Sequence, residues 1–436
     1  MTGEGFTEII QYIISFLVQD EKLVDLITYG KEKMNSNTRI VIIPEQYFWK
    51  EYGKVDTLPQ IPLTNWRGIP ILFGSDREEI RNGIVFIYAD LIASSYYLIS
   101  RYEELVNKGG RDEHGRYKAE ASLPVRAGFI ERPVVDEYGA ALRSILSAMG
   151  FFNSNQKKDI QRIYLTHDVD ACWARNTLTV GVKKSVKEFL YVRKFSLVPI
   201  LNALGIYKWN RYDSFDFLEE NDKKVQMAYP DRCEAILFLL GTKEETLRTR
   251  TYIFHKRFEK FRMRFLNSIF DIGLHESYEA GEDVSMIKLE KNNLEDSFGT
   301  NISIGRHHYL RNILFDELRE LEKIGILKDF SMGYAERIGF RLGTSRCVRW
   351  IDPENRVLTN LMLQPLIIMD TTLYEEQYMG LNYNTSLIKC KEIINRIRDV
   401  GGDFCFLIHN VGINEGEQQW IKKLYKDVTD YLVEVS

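Results

Sequence analysis

From Ile163 to the carboxyl terminus, short apolar runs alternate with stretches long enough for helices, and this alternation constrains the fold more than any other feature of the chain. A strand that is apolar throughout is buried on both faces, and a helix between two such strands returns the chain so that they run parallel. The runs are 163–167, 235–241, 270–275, 301–306, 326–332, 338–342, 361–370 and 404–409. Helices are expected over 251–268, 286–298, 312–324, 384–399 and 417–434. About seven strands over roughly 270 residues is the size of a β/α barrel, here a distorted one. Ligands of such folds gather at the carboxyl ends of the strands, so those ends are where chemistry is sought.

The first third reads differently. A helix is expected over 6–34, strands over Ile40–Pro44 and Ile84–Tyr88, and a helical stretch from Asp90 to Val106 that ends in the glycine- and charge-rich loop Gly109–Arg116. The polar segment Asn153–Asp159 follows, and the boundary is set there: an amino-terminal α/β accessory domain over 1–155 and a barrel over 160–436.

At 436 residues the chain exceeds one ordinary core, and 44% hydrophobic with 12% aromatic content excludes a mostly disordered protein. A net charge of −4 argues against a dedicated nucleic-acid binder. Cys172, Cys233, Cys347, Cys390 and Cys405 are scattered, with no CxxC pair. Neither a disulfide framework nor a zinc ribbon is expected, and a reducing cytoplasm fits best. Met1–Phe6 lacks a basic lead, so no signal peptide is expected, and no run of eighteen apolar residues suggests a bilayer-spanning helix. Two stretches, Lys183–Trp209 and Arg248–Arg264, are basic and aromatic. Solvated helix faces are the favoured expectation for both; contact with a membrane surface or an anionic glycan carrier is the alternative.

The first barrel strand ends in Thr166-His167-Asp168-Val169-Asp170. Residues i and i+2 of a strand share a face, so Asp168 and Asp170 project together. Two carboxylates side by side are costly without a cation or a shared proton, which points to a metal site or an acid–base dyad. Of seven histidines, His167, His275, His308 and His409 fall at or just beyond expected strand ends, and His307 adjoins them. Neutral imidazole ligates a divalent metal at physiological pH, which favours the metal over the dyad. His114, in a loop, and His255, on a basic stretch, are expected to be structural.

Taken together, these motifs resemble the polysaccharide deacetylase family of carbohydrate esterases, the NodB-homology group, in a divergent branch with an amino-terminal accessory domain. Thr166-His167-Asp168-Val169-Asp170 resembles the family's first motif, Gly273-Leu274-His275-Glu276-Ser277-Tyr278 its second, Arg306-His307-His308-Tyr309 its third at Arg and Tyr, and Leu407-Ile408-His409 its fifth. The segments Leu98–Glu104 and Asp112–Tyr117 resemble the accessory domain, and their charged residues are expected to form a domain interface or a loop scaffold, without a catalytic role.

The resemblance implies a divalent metal, zinc favoured, and removal of N-acetyl groups from an amino sugar of a bacterial surface polysaccharide or its precursor. It implies Asp168 as base, Arg306 as that base's charge partner, His409 as general acid and His275 as a metal ligand. Val169 stands where the family has its metal-binding Asp, which passes that role to Asp170, although Asp168 and Asp170 could exchange roles. Glu279 stands where the family has its second His, so either Glu279 or His308 completes the ligand set, with His308 favoured. Arg341 and Asp370 are expected to orient the principal groups. A glycan-binding protein without catalysis, and a metal-dependent hydrolase of another ester or amide, are the competing readings.

Overall fold

The structure, a computed structural model, describes residues 4–151, 159–173, 212–311, 315–411, 413 and 419–436. In the first third, β1 (Ile27–Tyr29), β2 (Ile40–Ile42), β5 (Gly74–Arg81) and β6 (Ile84–Ala89) form one sheet in the order β1-β2-β6-β5, while β3 (Thr64–Trp66) and β4 (Ile69–Ile71) pair separately. The helix Glu4–Val18 packs beside the helix Val134–Ala148, burying Ile9, Ile10, Ile13, Ile14 and Leu17 at the i, i+3, i+4 spacing of a single helical face.

Two expected helices are shorter than the sequence suggests. The first ends at Val18 because Gln19 turns left-handed (φ 57°) and Asp20 caps a separate turn, Glu21–Val24, so that 27–29 becomes β1 rather than helix. The second starts at the Asp90 cap, whose carboxylate accepts from the Ala93 amide at 2.8 Å, and breaks at Arg101 (φ 62°) into Leu91–Ile99 and Tyr102–Val106.

The rest of the chain builds a nine-stranded sheet in the order β12-β13-β11-β10-β9-β8-β7-β15-β14. Its strands are β7 (Arg162–Val169), β8 (Cys233–Leu240), β9 (Phe270–Glu276), β10 (Ile304–His307), β11 (Lys328–Met332), β12 (Val348–Asp352), β13 (Val357–Pro365), β14 (Ile368–Met369) and β15 (Asp403–His409). All neighbours are parallel except β12 and β13. Where a barrel of about seven strands was expected, the described residues form a mixed α/β structure whose pairing runs from β12 to β14 and is not closed.

Run 338–342 is not a strand, since Gly339 takes φ 127° and Gly343 φ 66° in a turn-rich segment. Run 361–370 falls in two strands, β13 and β14, and β12 is an antiparallel edge where only parallel units were expected. The helices Phe258–Leu266, Ser285–Phe298, Phe315–Lys323, Tyr383–Val400 and Gln419–Glu434 correspond to the expected ones, the first much shorter. Nearly all of the proposed boundary, and the whole basic stretch Lys183–Trp209, lie outside the described residues. One continuous apolar core joins the two sheets, running from Ile9 and Leu98 through Val135 to Phe340, Trp350 and Phe404. No helix of the described residues is long and apolar enough to cross a membrane.

Candidate functional site

Five strand ends face one another at the carboxyl edge of the parallel sheet. Register sets Asp168 of β7 beside His409 of β15, and His275 of β9 beside Arg306 of β10. Arg306 is fully buried, with its guanidinium over the rings of Phe238 (4.5 Å) and Phe330 (5.8 Å). A cation so enclosed needs a counter-ion. Its Nη1 donates to Asp168 Oδ1 at 3.0 Å and to Thr166 Oγ1 at 2.9 Å, two residues of β7 on one face. Burial alone would raise the Asp168 carboxyl, but the charges of His275, Arg306 and His409 outweigh it and hold the group below its usual range.

Next to this pair, Asp170, His275 and His308 each bring one ligand-type atom within 4.8 Å of the other two. Asp170 Oδ1 lies 3.6 Å from His275 Nε2 and 3.4 Å from His308 Nε2. Asp170 Oδ1, His275 Nε2 and His308 Nδ1 are buried without hydrogen-bond partners. The other nitrogen of His275 is engaged: its Nδ1 lies 2.7 Å from the Arg306 carbonyl oxygen, and donating to it leaves a lone pair on Nε2. Against the cost of burial, the two imidazoles hold Asp170 well below its usual range. Buried, unpartnered donor atoms of this kind fit a divalent cation, and one carboxylate with two imidazoles is a donor set for a late first-row metal.

Across Asp168 stands His409, with Nε2 4.0 Å from Asp168 Oδ2. Asp370, at the start of the helix Asp370–Tyr374, accepts from the His409 main-chain amide at 2.9 Å and pairs with its Nδ1 at 2.7 Å. Burial would lower the imidazole, yet the Asp370 charge and hydrogen bond, joined by Asp170 and Asp168, raise it to about 10. His409 Nε2 is thus aimed at the Asp168 carboxylate, with Nδ1 held by Asp370.

Strand alternation sends two other histidines away. His167 points to the opposite face of β7, where its Nε2 meets Asp222 at 2.8 Å and Tyr425 also holds that carboxylate. His307 likewise faces outward, 3.2 Å from Glu317. Glu279 accepts from Thr249 Oγ1 at 2.7 Å and stands outside the three-residue cluster, which contains His308. Arg341 pairs with Glu104 of the first third at 2.7 Å and donates to the Gly333 carbonyl at 2.8 Å, so it does not reach the cluster. His255 packs on Trp173.

Asp168, Asp170, His308 and His409 line a cavity of about 430 Å³, and three arginines share its wall: Arg116, Arg248 and Arg250. The sequence placed Arg116 in Asp112–Tyr117 without a site, and for Arg248–Arg264 favoured a solvated helix face, with contact to a membrane surface or an anionic glycan carrier as the alternative. The signal available was that Arg248 and Arg250 alternate in a loop closely following an apolar run. Arg116 comes from the first third of the chain, pairs with Asp112 at 2.6 Å and donates to the Tyr309 carbonyl at 3.0 Å. Tyr309 and Leu310 are both left-handed (φ 63° and 53°), a turn that non-glycine residues keep only when their surroundings enforce it. Arg311, donating to the His114 carbonyl at 3.0 Å, ties the same turn to the same loop.

Residues 4–150 match the model of DUF7033, a family of unknown function. No curated protein matches the chain. Among solved structures, it is similar to the crystal structure of a putative polysaccharide deacetylase from Mycobacterium smegmatis, with 13% sequence identity and a TM-score of 0.38 over 64% of this chain and 86% of that one.

Proposed function

We propose that the chain is a metal-dependent hydrolase that removes the acetyl group from an N-acetylated amino sugar, of the kind found in bacterial surface polysaccharides or their precursors. The observation that carries the reading is the convergence of Asp170, His275 and His308 within 4.8 Å, beside a second carboxylate and a charged imidazole on one cavity. The sugar enters through the resemblance of the four motifs. Asp170, His275 and His308 would hold the cation, with zinc the best match to the donor set. A bound divalent cation supplies a polarised acetyl carbonyl and a water acidified to a pKa of about 7.

The chain's own residues divide the proton work. Asp168, ionised by the Arg306 guanidinium 3.0 Å away, takes a proton from the attacking water. His409, protonated through Asp370, gives one from Nε2 to the departing sugar nitrogen, without which an amine is a poor leaving group. Thr166 fixes Arg306, and Arg306 fixes Asp168, so the base keeps one orientation. Thus two groups 4.0 Å apart on one cavity take opposite parts in the proton transfer, Asp168 as base and His409 as acid.

The test is metal content together with acetate release. Protein purified without chelator is expected to hold about one metal per chain, to release acetate from an N-acetylhexosamine substrate, and to lose both properties in His275→Ala. Metal-free native protein whose thermal stability is unchanged by chelator would overturn the reading.

A further inference from the structure

The cavity lining carries positive charge that the proposed chemistry does not use. Arg248 and Arg250 both line the cavity, and no ion pair of either is seen among the described residues. Arg248 donates instead to His114 Nδ1 at 2.7 Å and lies over the Tyr278 ring at 4.4 Å. Arg250 lies 5.8 Å from the Tyr212 ring centroid, and its Nη1 is buried with no acceptor in reach among the described residues. A buried guanidinium nitrogen without an acceptor costs free energy unless a ligand supplies one.

The acids of the same cavity do not answer this demand. Asp168 is engaged by Arg306 and Asp170 belongs to the three-residue cluster, which leaves Glu375 as the remaining carboxylate on the lining. Arg116, already paired with Asp112, adds a third guanidinium from the amino-terminal third. Planar guanidinium forks match phosphate and carboxylate oxygens, and a cavity of about 430 Å³ is within the range of small-molecule sites.

We infer that the substrate carries an anionic group, a phosphate or a carboxylate, bound by Arg248 and Arg250, with Arg116 closing the same wall from the amino-terminal third. The inference rests on the deacetylase reading for the sugar, but not for the anion.

The experiment measures binding of three probes to the full chain by calorimetry: N-acetylglucosamine 1-phosphate, an N-acetylated hexosaminuronic acid and neutral N-acetylglucosamine. At least one anionic probe is expected to bind about tenfold or more tightly than the neutral sugar, and the preference should weaken with added salt. Arg250→Gln and Arg248→Gln should each reduce it by about tenfold, the scale of one hydrogen bond to a charged group. Whether the phosphate or the uronate probe shows the preference identifies the group. Persistence of the preference after chelation separates the arginines from metal ligation.

Equal binding of all three probes, or a preference untouched in both variants, would overturn the inference. Acetate release is followed in parallel on each probe. An arginine-dependent preference without acetate from any probe leaves the anion site standing and removes the deacetylase reading. Acetate released as fast from the neutral sugar as from both anionic ones does the reverse.

Discussion

Asp370 touches no reacting atom, yet it accepts from both the amide and the ring of His409, at 2.9 and 2.7 Å. It is a positioning residue for the acid. Asp370→Asn should lower kcat by about 10²- to 10⁴-fold, the range of a misplaced general acid. Removing the carboxylate also removes what lifts His409 to about 10, so the acidic form is lost at lower pH. The alkaline limb of the kcat/KM profile should therefore move down, an effect that a merely structural role would not produce.

At this scale the sequence was legible where a residue type is rare and chemically specific. Asp168, Asp170, His308 and His409, all at strand ends, line one cavity, and His275 lies 3.6 Å behind Asp170. His167 misled because proximity to a strand end says nothing of parity: one residue along β7 it faces Asp222 instead of the cavity. Arg250 and Arg116 were illegible because arginine is common on surfaces, and only a tertiary contact reveals one without an acceptor.

Between neighbouring strands, close packing fixes where Arg306 can sit. Gly273 of β9 leaves the space that Phe238 of β8 occupies, since a Cβ there would lie 2.6 Å from the Phe238 ring and 3.1 Å from Ile304. That ring is the floor beneath the Arg306 guanidinium. Gly273→Ala should destabilise the fold by about 1–3 kcal/mol through overpacking, measurable by denaturant unfolding. It should also lower activity more than an equally destabilising change remote from the cavity, by tilting the ring that supports Arg306.

Parallel strands and most helices of this sheet were readable because uninterrupted apolar runs have few other places to go. The antiparallel edge β12 was not, because Val348–Asp352 has Arg349 among its apolar residues and ends in Asp352, which breaks the apolar run. Closure was unreadable for another reason: nothing in a strand's own sequence states whether the last strand finds the first.

Across the whole molecule, the two sheets are joined by ions as well as by apolar contacts. Glu104 is buried between Arg101 (2.6 Å) and Arg341 (2.7 Å), the latter from the far side of the junction. Burial would raise its carboxyl, but the two guanidinium charges prevail and hold it at about 2 against an ordinary 4.5. A depressed carboxyl stabilises the fold at any pH above its unfolded value and loses that contribution as the pH falls toward its folded one. The melting temperature should accordingly drop between about pH 4.5 and 2. In Glu104→Gln that part of the drop should vanish, at a cost of about 3–5 kcal/mol at neutral pH for leaving two buried arginines short of a partner.

The core that passes without a break from Ile9 to Phe404 bears on what counts as a separable piece. Tyr12 accepts the Arg349 amide at 2.7 Å and the Phe16 carbonyl accepts from Arg346 at 2.8 Å, so the first helix covers β12 and the turn before it. A polypeptide starting at residue 159 would expose that surface to water and aggregate, whatever its catalytic groups. Supplied in the same cell as two polypeptides, 1–151 and 159–436, the halves should instead reassociate and be recovered as a one-to-one complex. Purification of the second half alone, monomeric and stable, would show that the shared core is not what holds it folded.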